Sequence, residues 1–245
     1  MDSSQAVIDR GHESRAPVVR LRNVGKVYDD DGLRVTAIKN VSFDIPEGRF
    51  AMIVGPSGSG KTTLLNLIGC IDTPTSGSVE VCGQDLGRLG DNDVTDFRSR
   101  NIAFIFQNFN LSPVLTAYEN VEYPLLLLRT PAALRREQTA AMLESVGLWP
   151  QRKHRPNQLS GGQKQRVAVA RALVKQPTLV LADEPTANLD SHTGAEVIGL
   201  MRKVQQEHQV SFVFSTHDPQ LISHAEETFA IRDGELVDHR REGPG

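Results

Sequence analysis

The period of the apolar positions changes along this chain, and each change marks a different element. Val18 to Val27 alternates loosely, while Val41, Phe43 and Ile45 alternate cleanly. Both patterns predict strands with one polar face. Asp29-Asp-Asp-Gly32 between them reads as a turn, its acid run a solvated loop, and Pro46-Glu-Gly48 ends the second strand. Phe50 to Val54 is instead a continuous apolar run, the pattern of a strand buried on both faces of a parallel sheet. A glycine-rich loop follows it, then a helix over Thr63 to Ile68. Ile102 to Phe106 is a second strand of the buried type. Thr116-Ala-Tyr-Glu119 predicts a helix opened by a capping box. The next helix has Thr130 as cap, Pro131 at its first position and Gly147 past its end. Asp91 to about Arg155 thus reads as a mainly helical insertion.

Beyond it, Thr178 to Ala182 is a third buried-type strand. Val197, Leu200, Met201 and Val204 recur at helical spacing and give one core-facing stripe. Val210 to Ser215 is another strand, and Arg232-Asp-Gly-Glu235 predicts a hairpin. Strands and helices alternate, so the expected fold is α/β: a mostly parallel sheet with helices on both faces, an antiparallel β subdomain and a helical insertion. No internal repeat or low-complexity segment interrupts this pattern.

Composition narrows the setting. Among 245 residues, 39% are hydrophobic and 23% charged, which describes a soluble globular protein. The net charge of -3 leaves no basic footprint for nucleic acid. No apolar stretch, Leu125 to Leu128 included, approaches the roughly 20 residues that cross a bilayer. Residues 1–17 read as a disordered polar tail with no signal-peptide core. Cys70 and Cys82 make no metal-ligand pattern and suit a reducing compartment as small hydrophobes. Arg135-Arg136 and Arg152-Lys-His-Arg155 read as solvated faces. The expected location is the cytosol, with any membrane reached through a partner.

The chemistry concentrates in a few short segments. In Gly55-Pro56-Ser57-Gly58-Ser59-Gly60-Lys61-Thr62, followed by Thr63, glycines at 55, 58 and 60 let successive N–H groups turn inward on phosphate oxygens. The helix that starts at Lys61 adds its positive end. Lys61 can reach the β- and γ-phosphates, and the Thr62 hydroxyl can ligate Mg²⁺. The apolar strand Leu179 to Ala182 ends in Asp183-Glu184, at the sheet edge where open α/β folds bind ligands. Asp183 would help hold Mg²⁺, and Glu184 would orient the attacking water or take its proton. Taken alone, the two carboxylates read equally as caps of a turn before Pro185. His217, two residues past a strand, and Gln107, directly after another, reach the same edge. His217 can hydrogen-bond a γ-phosphate, and the Gln107 amide can touch Mg²⁺ or the water. A second anion-binding helix start, Leu159-Ser160-Gly161-Gly162-Gln163, lies about a hundred residues beyond the first. It exceeds what one nucleotide requires.

From about Val18 to Val237 these segments, in this order, resemble the nucleotide-binding subunit of an ATP-binding cassette (ABC) transporter. Gly55 to Thr62 is similar to the Walker A loop, Gln107 to the Q-loop residue, and Leu159 to Gln163 to the family signature. Leu179 to Asp183 resembles Walker B with Glu184 as the catalytic carboxylate, Asn188-Leu-Asp190 the D-loop, and His217 the switch histidine. Tyr28 matches the aromatic that stacks on adenine. The resemblance implies a P-loop NTPase cassette over 18–240, with core 18–90 and 160–237 and a helical lobe at about 91–159. It implies ATP and Mg²⁺ as ligands, and two cassettes packed head to tail. In that arrangement Ser160, Gly161 and Gly162 of one copy close on the γ-phosphate held by the other, with Asp190 near their interface.

Phe106-Gln-Asn-Phe-Asn-Leu-Ser-Pro113 and Arg155-Pro-Asn-Gln-Leu159 are similar to the lipoprotein-releasing, macrolide-exporter and cell-division group. This implies a transmembrane permease partner, an export or mechanotransmission role, and a place on the inner face of the cell membrane. The alternatives are a cell-division-type signalling cassette and a soluble assembly ATPase. Phe109, Leu111, Leu115 and Tyr118 are candidates for the groove that takes the partner's coupling helix, and equally for the core of the lobe.

Overall fold

The computed structural model describes residues 17–30 and 33–241; the expected tail up to residue 16 and the centre of the expected acidic turn lie outside them. In chain order the elements are β1 (Pro17–Asp30), β2 (Leu33–Pro46), β3 (Phe50–Val54), α1 (Lys61–Ile68), β4 (Ser76–Val81) and β5 (Gln84–Asp85). Then come α2 (Asp91–Asn101), β6 (Ile102–Ile105), α3 (Ala117–Leu127), α4 (Ala132–Ser145) and α5 (Gly161–Leu173). The chain continues through β7 (Leu179–Asp183), α6 (Ser191–His208), β8 (Ser211–Thr216), α7 (Pro219–Ile222), β9 (Glu227–Arg232) and β10 (Glu235–Arg241).

Two sheets result. One is antiparallel, in the order β2-β1-β4-β5; the other has the order β10-β9-β3-β8-β7-β6. In the second, β3, β8, β7, β6 and β9 are parallel and only β10 runs against its neighbour. The expected hairpin joins β9 to β10, with Asp233 at φ 52° and Gly234 at φ 82°. Two successive left-handed residues are what a two-residue hairpin turn requires.

Period-two packing divides the central strands between two cores. Ala51, Ile53, Leu179, Leu181 and Val213 join the cluster under the antiparallel sheet and α1. Their neighbours Phe50, Met52, Val180, Ala182, Phe212 and Phe214 face α5 and α6. Both faces are covered, which is why these strands read as unbroken apolar runs. Each fully buried Phe or Ile here contributes about 2–3 kcal/mol. The expected α6 stripe packs as read: Val197, Met201 and Val204 are buried, with Leu200 half-buried at the margin of the lobe.

Several boundaries differ from expectation. Pro17 already pairs with Pro46, so β1 takes in the residue expected to end the tail. Strand β6 pairs with β7, and α2 packs Val94 and Phe97 onto the first core. We therefore place the helical lobe after β6 rather than from residue 91. Its core is Ala117, Val121, Leu125, Leu143, Val167 and neighbours, shared between α3, α4 and α5. Helix α4 is capped by Pro131, not Thr130: Pro131 has ψ 143°, and its carbonyl accepts from Arg135 N at 2.9 Å. Helix α5 begins at Gly161, with Ser160 as its N-cap. Arg135 is no solvated face, since its guanidinium meets Glu122 at 2.7 Å with both side chains mostly covered.

Buried Asn120 organises the segment that leads into the lobe. Its amide oxygen accepts from Ser112 N at 2.8 Å, and its nitrogen donates to Thr116 O at 2.9 Å and to Ser112 O and Leu115 O at 3.2 Å. Substituting Asn120→Ala leaves those groups unpaired and should lower unfolding stability by about 2 kcal/mol. A urea titration would read this as an earlier midpoint with unchanged slope.

Candidate functional site

The C-terminal ends of β3, β7 and β8 lie side by side because their register aligns Val54 with Thr216 and Asp183 with Ser215. A cavity of about 470 Å³ opens over these ends. It is lined by Ser57, Gly58, Gly60, Lys61, Thr62 and Thr63 on one side and by Gln107, Asp183, Glu184 and His217 on the other. Val35, Thr36 and Ala37 of β2 close a third side, a wall that local sequence patterns do not reveal.

The loop between β3 and α1 is held from behind. The Gly234 N–H donates to Ser59 O at 3.0 Å, so the β9–β10 turn braces the curl. A side chain at Gly55 would strike the carbonyl of Ile231. Gly60, at φ 106°, is the N-cap of α1, and an added Cβ would lie 2.7 Å from Ala37 O and Ile38 Cδ1. Both positions need glycine for conformation and for room.

Lys61 is 92% buried, its residue exposure being 8%. Its ammonium donates to Gly55 O at 2.9 Å and Pro56 O at 3.1 Å, and no carboxylate among the described residues pairs with it. A buried cation bonded only to carbonyls favours an anion beside it. The Ser59 hydroxyl, also buried, has no hydrogen-bond partner among the described residues. Cavity, loop and helix N-terminus therefore all favour phosphate oxygens.

Opposite stand the acids. Thr62 Oγ1 lies 3.2 and 3.3 Å from the two oxygens of Asp183. The Ser215 hydroxyl donates to the same carboxylate. Glu184 adopts φ 45°, a left-handed conformation rare for a residue with a side chain. Its N–H is tied to Ser215 O at 3.0 Å, which sets the turn. The carboxylate is 17% exposed, and His217 Nδ1 approaches it at 2.8 Å. Because an ionised carboxylate only accepts, Nδ1 is the donor of this contact.

Gln107 lines the cavity directly, as expected, and its carbonyl accepts from Asn188 Nδ2 at 2.8 Å. Asn188 also donates to Asn108 Oδ1 at 3.1 Å. Buried Gln165 of α5 donates to Pro185 O at 2.7 Å and so anchors the turn carrying Glu184. Arg171 of α5 holds the carbonyls of Phe109 and Asn110, both left-handed residues. Sequence reading passed over Asn188 as a side chain, Gln165, Arg171 and Ser215. Nothing in a helical polar residue announces a partner far along the chain, although Ser215 sits two positions before His217.

Other expected site residues lie apart. Ser160, Gly161, Gly162 and Gln163 open α5 outside this cavity, with Ser160 Oγ accepting from Gln163 N at 3.2 Å and Gln163 Oε1 from Ser160 N at 3.0 Å. Asp190 does not enter the cavity either. It caps α6 by accepting from Thr193 N at 3.0 Å, a bond that lowers its pKa, and it lines a separate cleft with Asp218 and His224. Tyr28 stands outside the lining residues, half-exposed, with its hydroxyl on Asp72. Among the open groove residues, Leu111 and Tyr118 pack on the lobe core. Leu111 and Leu115 also line a further cavity of about 460 Å³ with Tyr123 and Arg171.

Comparison with known proteins agrees with this geometry. The ABC transporter family matches residues 38–187. An uncharacterized ABC transporter ATP-binding protein of Thermotoga maritima is 46% identical over 92% of this chain and 96% of its own length. A macrolide export ATP-binding/permease protein of Paracoccus denitrificans is 42% identical over 94% of this chain, which spans 34% of that protein. Among solved structures, the ATP-binding cassette MJ0796, of Methanocaldococcus jannaschii, is a dimer in a post-hydrolysis state bound to ADP and Pi. It is 43% identical, covers 91% of this chain and 98% of its own, and has a TM-score of 0.84.

Lys61→Ala removes the buried cation and should weaken ATP binding by at least about tenfold. Equilibrium titration with a fluorescent ATP analogue checks this, and affinity equal to wild type would contradict the role of the ammonium.

Proposed function

The chain belongs to the ABC transporter family, whose cassettes bind and hydrolyse ATP, and from that premise we propose how its own residues divide the work. The backbone N–H groups of residues 57–62 and the Lys61 ammonium hold the β- and γ-phosphates. The donor set of Thr62 hydroxyl, Asp183 carboxylate and Gln107 amide is all oxygen and suits a hard cation, so these residues would hold Mg²⁺. When bound, Mg²⁺ neutralises charge on the phosphates. Glu184 orients a water and accepts its proton as the water oxygen attacks the γ-phosphorus and the bond to the β-phosphate oxygen breaks. His217 fixes the Glu184 carboxylate through Nδ1 and presents Nε2 to the γ-phosphate side. Tyr28 stacks on the nucleobase.

One observation carries the wider reading: the Ser160–Gln163 helix start lies outside the cavity that its chemistry would complete. Its N–H groups and positive end are presented outward, to a second copy. Two chains packed head to tail then enclose two ATP, each between the loop of one and the Ser160 end of the other. ATP with its γ-phosphate bridges the halves better than ADP, so hydrolysis opens the dimer. The groove at Leu111, Leu115 and Tyr123, near exposed Val114, Leu126 and Leu127, suits an apolar helix of a transmembrane permease. Permease segments occur in the macrolide export relative, and no helix of the described residues is long and apolar enough to cross a membrane. The protein would then act at the cytoplasmic face of a membrane, driving an export or mechanotransmission partner.

Glu184→Gln should reduce turnover at least about 100-fold while leaving ATP affinity intact, and should trap a dimer in gel filtration with Mg·ATP. Full activity would remove the carboxylate from the mechanism. Ser160→Arg in the same background should keep ATP binding but abolish that dimer. An undiminished dimer peak would refute the shared-site arrangement.

A further inference from the structure

Tyr28 lies near the end of β1, opposite Val35 in the β1–β2 ladder, and Val35 lines the phosphate cavity. Its ring is 39% exposed, yet its position is closely specified. The hydroxyl donates to Asp72 Oδ2 at 2.7 Å. The other carboxylate oxygen receives Lys26 Nζ at 2.6 Å and the Thr73 N–H at 2.7 Å. Lys26 also donates to Thr73 O at 2.9 Å and stands over the Tyr28 ring, 4.8 Å from its centroid. Lys26 and Tyr28 are two apart on one strand and share a face, so the ammonium covers one side of the ring.

This cluster is not an ordinary surface pair. The Lys26 and Asp72 side chains are 11% and 24% exposed. Burial opposes the Asp72 charge, but hydrogen bonds from Lys26, Tyr28 and the Thr73 N–H outweigh it and hold the carboxyl below its usual pKa. The Tyr28 phenol moves up, through burial first and Asp72 second.

Asp72 connects the ring to the phosphate loop through a single rigid element. Helix α1 begins with Lys61 and Thr62, and just past its end the N–H groups of Ile71 and Asp72 bond Asn66 O at 2.9 and 3.2 Å. Thr75 N donates to Gly25 O at 2.8 Å, and Val27 N to Thr75 Oγ1 at 3.0 Å, so the same loop is sewn to β1. One end of the helix cradles phosphate and the other holds the aromatic.

Resting on the reading that Tyr28 stacks on the nucleobase, we propose that Asp72 and Lys26 are positioning residues. They fix the ring's distance and tilt relative to the phosphate loop, and Lys26 occupies one ring face so that a base stacks only on the other. A ring already ordered loses little rotamer freedom when the base arrives, which is where the affinity gain comes from. Stacking reads the face of a base and not its edges, so adenine and guanine nucleotides share the benefit.

The test titrates the full chain with Mg·ATP, Mg·GTP and Mg·tripolyphosphate by calorimetry. Asp72→Ala should raise both nucleotide dissociation constants roughly five- to twentyfold and leave that of tripolyphosphate within about twofold. Tyr28→Phe keeps the ring but removes its tether; it should weaken both nucleotides, and adding it to Asp72→Ala should cause no further loss. Wild-type nucleotide affinity in Asp72→Ala and Tyr28→Phe, with Tyr28→Ala weakened, would overturn the positioning role while leaving base stacking in place. Equal losses for tripolyphosphate would also overturn it, by reducing Asp72 to support of its loop. An unaffected Tyr28→Ala would remove the stacking reading itself. Should Asp72→Ala fail to fold, Tyr28→Phe carries the test, since it leaves the Lys26–Asp72 pair intact.

Discussion

The parallel register of β3, β8 and β7 is the constraint on which the rest depends. Val54 pairs with Thr216, and Asp183 with Ser215. This alignment ends three strands at one level, so a phosphate loop, a carboxylate pair and a histidine emerge within reach of a single cavity. A slip of one residue would send every side chain of a strand to the opposite face. Here that is prohibitive, because both faces are buried and differ in shape: Phe50, Phe212 and Phe214 pack together on one, while Ala51, Ile53 and Val213 pack on the other. Hydrophobic packing thereby holds catalytic geometry to a precision that loops alone do not supply.

Buried polar side chains then connect pieces that the strands leave separate. Gln165 and Arg171 lie on the same helix, less than two turns apart. The first grips the turn bearing Glu184 and the second the segment after Gln107. Asn188 ties that segment to the end of the loop before α6. Helix α5 thus contacts both the turn that carries Glu184 and the segment that follows Gln107. The same helix starts at Ser160, so contact there and chemistry at Glu184 share one rigid body. The left-handed backbone of Glu184, Phe109 and Asn110 falls at the points these side chains hold. Strain of that kind persists where surrounding bonds over-determine it.

The same principle recurs at the far end of α1. Helix α1 presents its positive N-terminus to phosphate, and the loop at its far end restrains an aromatic ring. In the proposed reading, recognition of a long, flexible ligand is referred to one short helix and not to two independently moving loops. The opening of α5 lies outside the phosphate cavity, and the proposed two-copy arrangement turns on this separation.

Much of this was legible in the residues. Unbroken apolar runs marked the central strands, since burial on both faces erases alternation. The glycine loop, Asp183-Glu184, Gln107 and His217 were found because their chemistry is local: each directly follows, or nearly follows, an apolar strand, and a strand's end is where an α/β sheet binds. Boundaries were less legible. The α2–β6 segment read as lobe because β6 is short and surrounded by helices, whereas its membership of the sheet depends on pairing with β7, far along the chain. Tyr28 and Asp190 were expected among the ligand contacts; within the chain their bonds go to Asp72 and Thr193 N. By itself the sequence determined which residues could do the chemistry, because covalent spacing and local hydrogen bonding decide a loop, a cap or a strand end. Only the tertiary structure decided which of them meet and what steadies them, because Gln165, Arg171, Asn188 and the Lys26–Asp72–Tyr28 cluster act across separations that no local pattern records.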